Sequence, residues 1–223
     1  MVRRTKEEAQ ATRNRILDTA EVVFQARGVS RSSLQDIAEA AGVTRGAIYW
    51  HFRDKAELFN AMMERVILPL EDAARRGDEA RADDPLAALR EGFIGALRKT
   101  VNDPQVRRVF EIATHKVEYV DEMQAVRDRK LKSRDDHLAR GEQAFRLAAR
   151  RGRLTLHVPA RAAALGLHAL IDGLIRNWML DPQAFDLVKV GRQVLDSYLL
   201  GLQAPGAAAV AAAKRPRVVR SPR

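Results

Sequence analysis

The chain contains no cysteine in 223 residues, which excludes disulfide bridges and thiolate metal sites and fits a reducing compartment. No apolar run approaches the roughly 20 residues that a membrane helix needs. The first residues, MVRRTKEEAQ, lack the apolar segment of a secretory signal. These absences set the expectation of a cytoplasmic protein, nucleoid-associated if it binds DNA, with no membrane partner. Nothing alternates polar and apolar residues over a strand's length; Thr155-Leu156-His157-Val158 comes nearest and is too short. Also missing are a nucleophile–base spacing, a metal-ligand cluster and a phosphate loop. The five histidines with Glu111, Asp172 and Arg176 therefore make no recognisable catalytic set. No cofactor and no metal are expected, and an all-α enzyme is the distant alternative.

Charge is plentiful but unevenly placed. Residues 1–60 carry 10 Lys and Arg against 8 Asp and Glu, whereas residues 205–223 carry 5 against none. Half of the net charge of +10 thus lies in the final stretch. Nucleic-acid binding cannot be read from the isoelectric point alone, although Arg3, Arg4 and Lys6 support it locally. From Ala204 the composition shifts to APGAAAVAAAKRPRVVRSPR, without acids and with few apolar anchors, so 204–223 is expected to be a disordered basic tail. Two readings of it stay open: added non-specific DNA affinity, or a solvated extension.

Helix signals fill the rest. Thr5 and Glu8 form a capping box, Ile16, Leu17, Ala20, Val23 and Phe24 an apolar stripe, and Gly28 a stop. Arg13 lies off the stripe, free for a phosphate or for solvent. Asp54 opens a helix through Leu58, Phe59, Met62, Val66 and Leu70 that stops near Gly77. Pro69 falls inside it, as a harmless bend or as a joint. Asp84-Pro85, Asp103-Pro104 and Asp181-Pro182 each place a capping carboxylate before a proline at the first helical position, and Pro159 opens another helix without one. The Pro104 helix carries Val106, Val109, Phe110, Ala113, Val117 and Val120 on one face. A charged helix runs from about Asp121 to Arg151, with Met123, Val126, Leu138, Phe145 and Ala148 as a sparse stripe. The fold expected is all-α, with about nine helices.

The most informative stretch is SLQDIAEAAGVTRGAIYWHFRDKAEL, residues 33–58. Ser33 caps a short helix whose buried face is Leu34, Ile37 and Ala38, with Asp36 near its positive end. Gly42 stands where a left-handed residue is needed. Thr44 caps a second short helix with Ile48 and Phe52 inward. Ala38, Ala41 and Ala47 let the two helices cross closely, which makes 33–52 a helix-turn-helix. Thr44, Arg45, Gly46, Tyr49, Trp50 and His51 are left off the core face, at the start of a helix able to enter a major groove. The other reading is that Tyr49 and Trp50 merely pack. Asp54 and Glu57 form a capping box for the next helix. Lys55 at its first turn opposes the helix dipole, a position better explained by a phosphate contact.

IAEAAGV, followed by Thr44, Gly46, Tyr49, His51-Phe52, Lys55 and Leu58, closely resembles the DNA-binding signature of the TetR family of bacterial repressors. The resemblance implies an N-terminal three-helix DNA-binding domain over 10–70 and a C-terminal helical ligand-binding and dimerisation domain over 83–203. It also implies DNA contacts from Ser33, Thr44, Arg45, Gly46, Tyr49, Trp50, His51 and Lys55. The partners expected are double-stranded operator DNA, a small hydrophobic or aromatic effector and a second copy of the chain. Apolar faces around Leu174, Trp178, Val194 and Leu195 are the candidates for the dimer contact.

In the last long helices, Leu167, Leu170, Ile171, Leu174, Ile175 and Trp178 form one broad face. Asp172 and Arg176, four apart, project nearly opposite, beside Leu165, Gly166, Ala169 and Gly173. Periodicity alone reads that pair as a surface ion pair. NDPQVRRVFEIATHKVEYVDEM and IDGLIRNW resemble the AcrR-like branch of the family, whose members repress multidrug efflux pumps. That resemblance implies an effector pocket at Asp172 and Arg176, with Phe110 and Thr114 at positions that are Asn and His in a relative. Ile67, Leu89, Phe93, Ala96, His168 and Ile171 complete an apolar wall with one polar end. Control of a metabolic or lipid operon by another effector is the alternative. A charge-driven architectural DNA protein, with a steep salt slope and no sequence preference, is disfavoured by the reading helix.

Overall fold

A computed structural model of the protein describes residues 6–80 and 83–203; Arg3, Arg4, Thr5 and the basic tail lie outside the described residues. Nine α-helices and one short 3-10 turn are present among them, and no strand. The helices are α1 (Lys6–Arg27), α2 (Leu34–Ala40), α3 (Arg45–His51), α4 (Lys55–Ala80), α5 (Pro85–Asn102), α6 (Pro104–His115), α7 (Gln124–Arg150), α8 (Ala160–Leu180) and α9 (Leu187–Gly201), with the 3-10 turn at Asp121–Met123.

Local chemistry sets most of these boundaries. Gly28, Gly42 and Gly152 take φ values of 81°, 62° and 67° after α1, α2 and α7, a region open to glycine without steric cost. Asp84 and Asp103 cap α5 and α6 through the Ala87 N–H and the Gln105 and Val106 N–H groups, each with proline following. Four expectations need correction. Helix α4 does not stop at Gly77 but continues to Ala80. Helix α6 ends at His115, so Val117 and Val120 lie beyond it. The charged helix begins with a 3-10 turn before α7 proper. Helix α9 does not start at Pro182: Asp181 caps only a turn, accepting from the Gln183 N–H at 3.0 Å. The helix cap is Asp186, which accepts from the Lys189 N–H at 2.9 Å.

Two apolar cores form. One joins Ile16, Leu17, Phe24, Ile37, Ile48, Phe52, Phe59 and Met62 of the first four helices to Val106, Val109 and Ile112 of α6 and to Met123 and Val126. The other gathers Phe93, Leu97, Phe145, Leu167, Trp178 and Leu195 from α5, α7, α8 and α9. Polar links run between α1 and α6. Glu21, 2 % exposed, accepts from Gln105 at 2.8 Å and pairs with Arg65 of α4. Gln25 donates to Glu111 at 3.0 Å, and the Val29 N–H donates to the Lys116 carbonyl at 2.8 Å.

Candidate nucleic-acid interface and effector site

The helix-turn-helix is assembled by short-range bonds. The Ser33 hydroxyl accepts from the Asp36 N–H at 3.1 Å while the Asp36 carboxylate accepts from the Ser33 N–H at 2.8 Å, a reciprocal cap. The Ser33 side chain and backbone hold the Asp36 carboxyl below the usual carboxylate range. Thr44 Oγ1 accepts from the Ala47 N–H at 3.1 Å and starts α3. The capping at α4 is shifted: Asp54 accepts from the Glu57 N–H at 2.7 Å, but the Glu57 carboxylate takes the Arg53 N–H rather than that of Asp54.

Helix α3 buries only Ile48, and its C-cap Phe52 is also buried. Tyr49 and Trp50 are 47 % and 72 % exposed, so neither serves as a core side chain. The Arg45 guanidinium lies 5.7 Å from the Tyr49 ring centroid, and Trp50 meets His51 edge-on at 4.5 Å. Arg45 and Gly46 are exposed on the same short helix, and Ser33 and Thr44 stand at the starts of its two arms. This surface offers guanidinium, hydroxyl and aromatic groups on a helix held by caps at its base. The Arg13 guanidinium lies 5.1 Å from the Phe52 ring centroid.

Lys55 is the exception in this group. Its side chain is 10 % exposed, and its ammonium donates to the Ser32 carbonyl at 3.0 Å and pairs with Glu122 at 2.6 Å. It does not point to solvent beside Tyr49. Glu122 was not legible as its partner, because no local spacing joins α4 to the 3-10 turn.

The effector-site residues spread over four helices. Leu89, Phe93 and Ala96 lie on α5; His168, Ile171, Asp172 and Arg176 on α8; Phe110 and Thr114 on α6; and Ile67 on α4. Phe93, Leu89 and Ile171 join the second core, whereas Phe110 packs against the first. Asp172 and Arg176 pair at 2.7 Å with both side chains close to half-exposed. His168 faces His137 of α7 at 6.4 Å between ring centroids. Burial lowers the His168 pKa; His137, Arg134 and Lys130 act the same way, and Asp172 opposes them. A surface groove of about 560 Å³ is lined by Arg134, Asp135, Leu138, Pro159, Arg161, Ala162 and Leu165, and a second of about 380 Å³ lies at Arg107, Arg108, Glu111 and Met179. None of the effector-site residues named from the sequence lines either groove.

Of the four dimer candidates, Leu174 and Val194 are only partly buried, and the other two need revision. Trp178 and Leu195 are 5 % and 1 % exposed within one protomer, so they are core residues. The large apolar side chains that α8 and α9 leave outside are Leu165, Leu180 and Leu200.

A capped helix-turn-helix with an outward polar and aromatic face, carried on a helical body, defines a DNA-binding regulator. The chain belongs to the TetR family: residues 16–62 match the model of bacterial regulatory proteins of the tetR family, and residues 84–204 match the C-terminal region of MAATS-type transcriptional repressors. It is 43 % identical to the HTH-type transcriptional regulator TtgR of Pseudomonas putida, covering 84 % of this chain and 90 % of TtgR. The solved structure of NalD, described as the secondary repressor of the MexAB-OprM multidrug efflux pump of Pseudomonas aeruginosa, superposes with a TM-score of 0.81 at 37 % identity, covering 89 % of this chain and 98 % of NalD. SmeT of Stenotrophomonas maltophilia, solved with triclosan, superposes at 0.77 with 33 % identity, covering 96 % and 99 %. The protein is a transcriptional regulator and not an enzyme. No helix among the described residues is long and apolar enough to cross a membrane.

Proposed function

We propose that the protein is a dimeric cytoplasmic repressor that binds a palindromic operator of a multidrug efflux operon and leaves it when a small hydrophobic or aromatic effector binds. The proposed division of labour is DNA binding by 10–70 and effector binding with dimerisation by 83–203. The observation that carries the DNA half is the exposure of Tyr49 and Trp50 on a helix that buries only Ile48. Ser33, Thr44, Arg45, Gly46, Tyr49, Trp50 and His51 are assigned to the operator face, and Lys55 to phosphate once it leaves Glu122. Removal of the Tyr49 ring tests this: Tyr49→Ala is expected to lower operator affinity about five- to a hundredfold, the range of one good groove contact, without lowering the melting temperature. Parallel loss of affinity and of thermal stability would instead make Tyr49 a packing residue.

Efflux control is supported by the relatives. NalD is described as an efflux-pump repressor, and SmeT has been crystallised with triclosan, an apolar diphenyl ether bearing one hydroxyl. The effector site is assigned to Ile67, Leu89, Phe93, Ala96, Phe110, Thr114, His168, Ile171, Asp172 and Arg176, with the last two and His168 orienting the ligand's polar end. An effector empties the operator only by binding the non-DNA conformation better, and full reversal takes about 5 kcal/mol of differential affinity. Calorimetric titration with triclosan is expected to give a dissociation constant near 1 μM, about −8 kcal/mol, and the ligand to release operator in a mobility-shift assay. Asp172→Ala and Arg176→Ala should each blunt the response while sparing operator binding by the free protein. Wild-type responses from both variants would reduce the pair to a surface ion pair.

A further inference from the structure

Lys55 is the first residue of α4, where a positive side chain meets the positive end of the helix dipole. Glu122 resolves that conflict: its carboxylate sits 2.6 Å from the Lys55 ammonium and compensates helix end and lysine together. The other partner is the Ser32 carbonyl, one residue before the cap of α2. One ammonium thus joins the start of α4, the turn that carries α2 and the 3-10 turn between α6 and α7. The exposures are unequal. The Lys55 side chain is 10 % exposed, whereas that of Glu122 is 53 % exposed and free to swing into water. Glu118 is exposed on the same connection and lies outside the pair.

From this geometry we infer that Glu122 sets operator affinity by holding the Lys55 charge in the DNA-free protein, so that operator phosphate must displace an internal carboxylate. A neutralised lysine offers a phosphate little net charge, and its binding to DNA releases fewer counterions. Two of the three ammonium donors are already engaged. The carboxylate would also face the incoming phosphate as a like charge. Because Glu122 is half in solvent, exchanging its partner for water costs it little desolvation. Glu122 is then a positioning residue: it acts on DNA through Lys55 and does not touch it. The inference rests on the operator role given to Lys55 above.

The test uses the full-length dimer and a fluorescent duplex selected by the wild-type protein from a randomised pool, with anisotropy titrations across a salt series. Glu122→Gln is expected to bind about two- to fivefold more tightly at low salt, the range of one partly exposed ion pair. Its salt slope should be steeper by about one. Lys55→Ala should bind more weakly, with a slope shallower by about one. On the Lys55→Ala background, Glu122→Gln should have no further effect. Glu118→Gln removes the same formal charge without touching the pair and should leave affinity and slope near wild type. Unchanged or weaker binding by Glu122→Gln, or tightening that survives on the Lys55→Ala background, overturns the inference while leaving the role of Lys55 intact. Wild-type binding by Lys55→Ala removes that role, and the inference with it.

Discussion

A protein carrying both Leu165→Arg and Leu200→Arg is expected to sediment as a folded monomer and to bind its operator about a hundred- to ten-thousandfold more weakly, the range lost when two linked sites become one. The argument starts from how α8 and α9 pack. The Tyr198 hydroxyl donates to the Ala163 carbonyl at 2.7 Å, and the His157 N–H donates to the Leu202 carbonyl at 3.3 Å, so the start of α8 lies against the end of α9. Leu165 and Leu200 sit at that end of the pair with 53 % and 69 % of their surfaces exposed. Burying an exposed leucine completely is worth about 1.5–3 kcal/mol, and a dimer recovers part of that at each copy. Arginine at both positions would place unpaired charge in the contact. A single reading helix covers few base pairs, and two must stand about 34 Å apart, or a multiple of it, for a palindrome to be read. Analytical ultracentrifugation, circular dichroism and operator titration together decide the matter. A variant that stays dimeric, or a monomer with undiminished affinity, would move the interface elsewhere.

Arg65→Ala should lower folding stability by about 3–5 kcal/mol, the usual consequence of leaving a buried charge without its partner. Arg65 of α4 bridges Asp18 and Glu21 of α1, and lies 2.7 Å from Asp18. The two carboxylates are not equivalent. Asp18 has a 67 % exposed side chain and returns to water when the arginine goes, whereas the Glu21 side chain is 3 % exposed and cannot. Glu21 would keep only the Gln105 amide and Arg108, whose guanidinium stands 3.9 Å away. The reverse change, Glu21→Gln, should be milder, because Arg65 keeps Asp18 and a neutral amide is less costly to bury. Urea denaturation of the two variants measures the difference. Equal losses, or less than about 1 kcal/mol for Arg65→Ala, would mean that Glu21 finds another partner.

Short-range signals were legible in the sequence because their chemistry closes within four residues. The caps at Ser33, Thr44, Asp84 and Asp103 and the left-handed Gly28 and Gly42 fall where spacing put them. The reading-helix face was legible for the same reason, since Ile48 and Phe52 leave Arg45, Tyr49 and Trp50 no place inside. Asp181-Pro182 misled because a capping aspartate starts a turn as readily as a helix, and Asp186 supplied a second cap five residues later. Contacts between distant elements left no trace in periodicity. Glu21 lies inside the apolar stripe of α1 yet is buried among partners from α4 and α6. Lys55, at odds with the helix dipole, reads as a phosphate contact, and its partner Glu122 is brought to it only by the fold. Trp178 and Leu195 read as interface because an apolar face looks the same whether its cover is the same chain or another.

The first core does not end where the helix-turn-helix ends. Val106, Val109 and Ile112 of α6, then Met123 and Val126, complete the apolar cluster that begins with Ile16 and Leu17. On that side the head is covered by α6 and the 121–126 segment. A head cut after α4 would leave the α1 and α4 side chains that α6 covers facing water, and carrying α6 and the 121–126 segment along would keep that core closed.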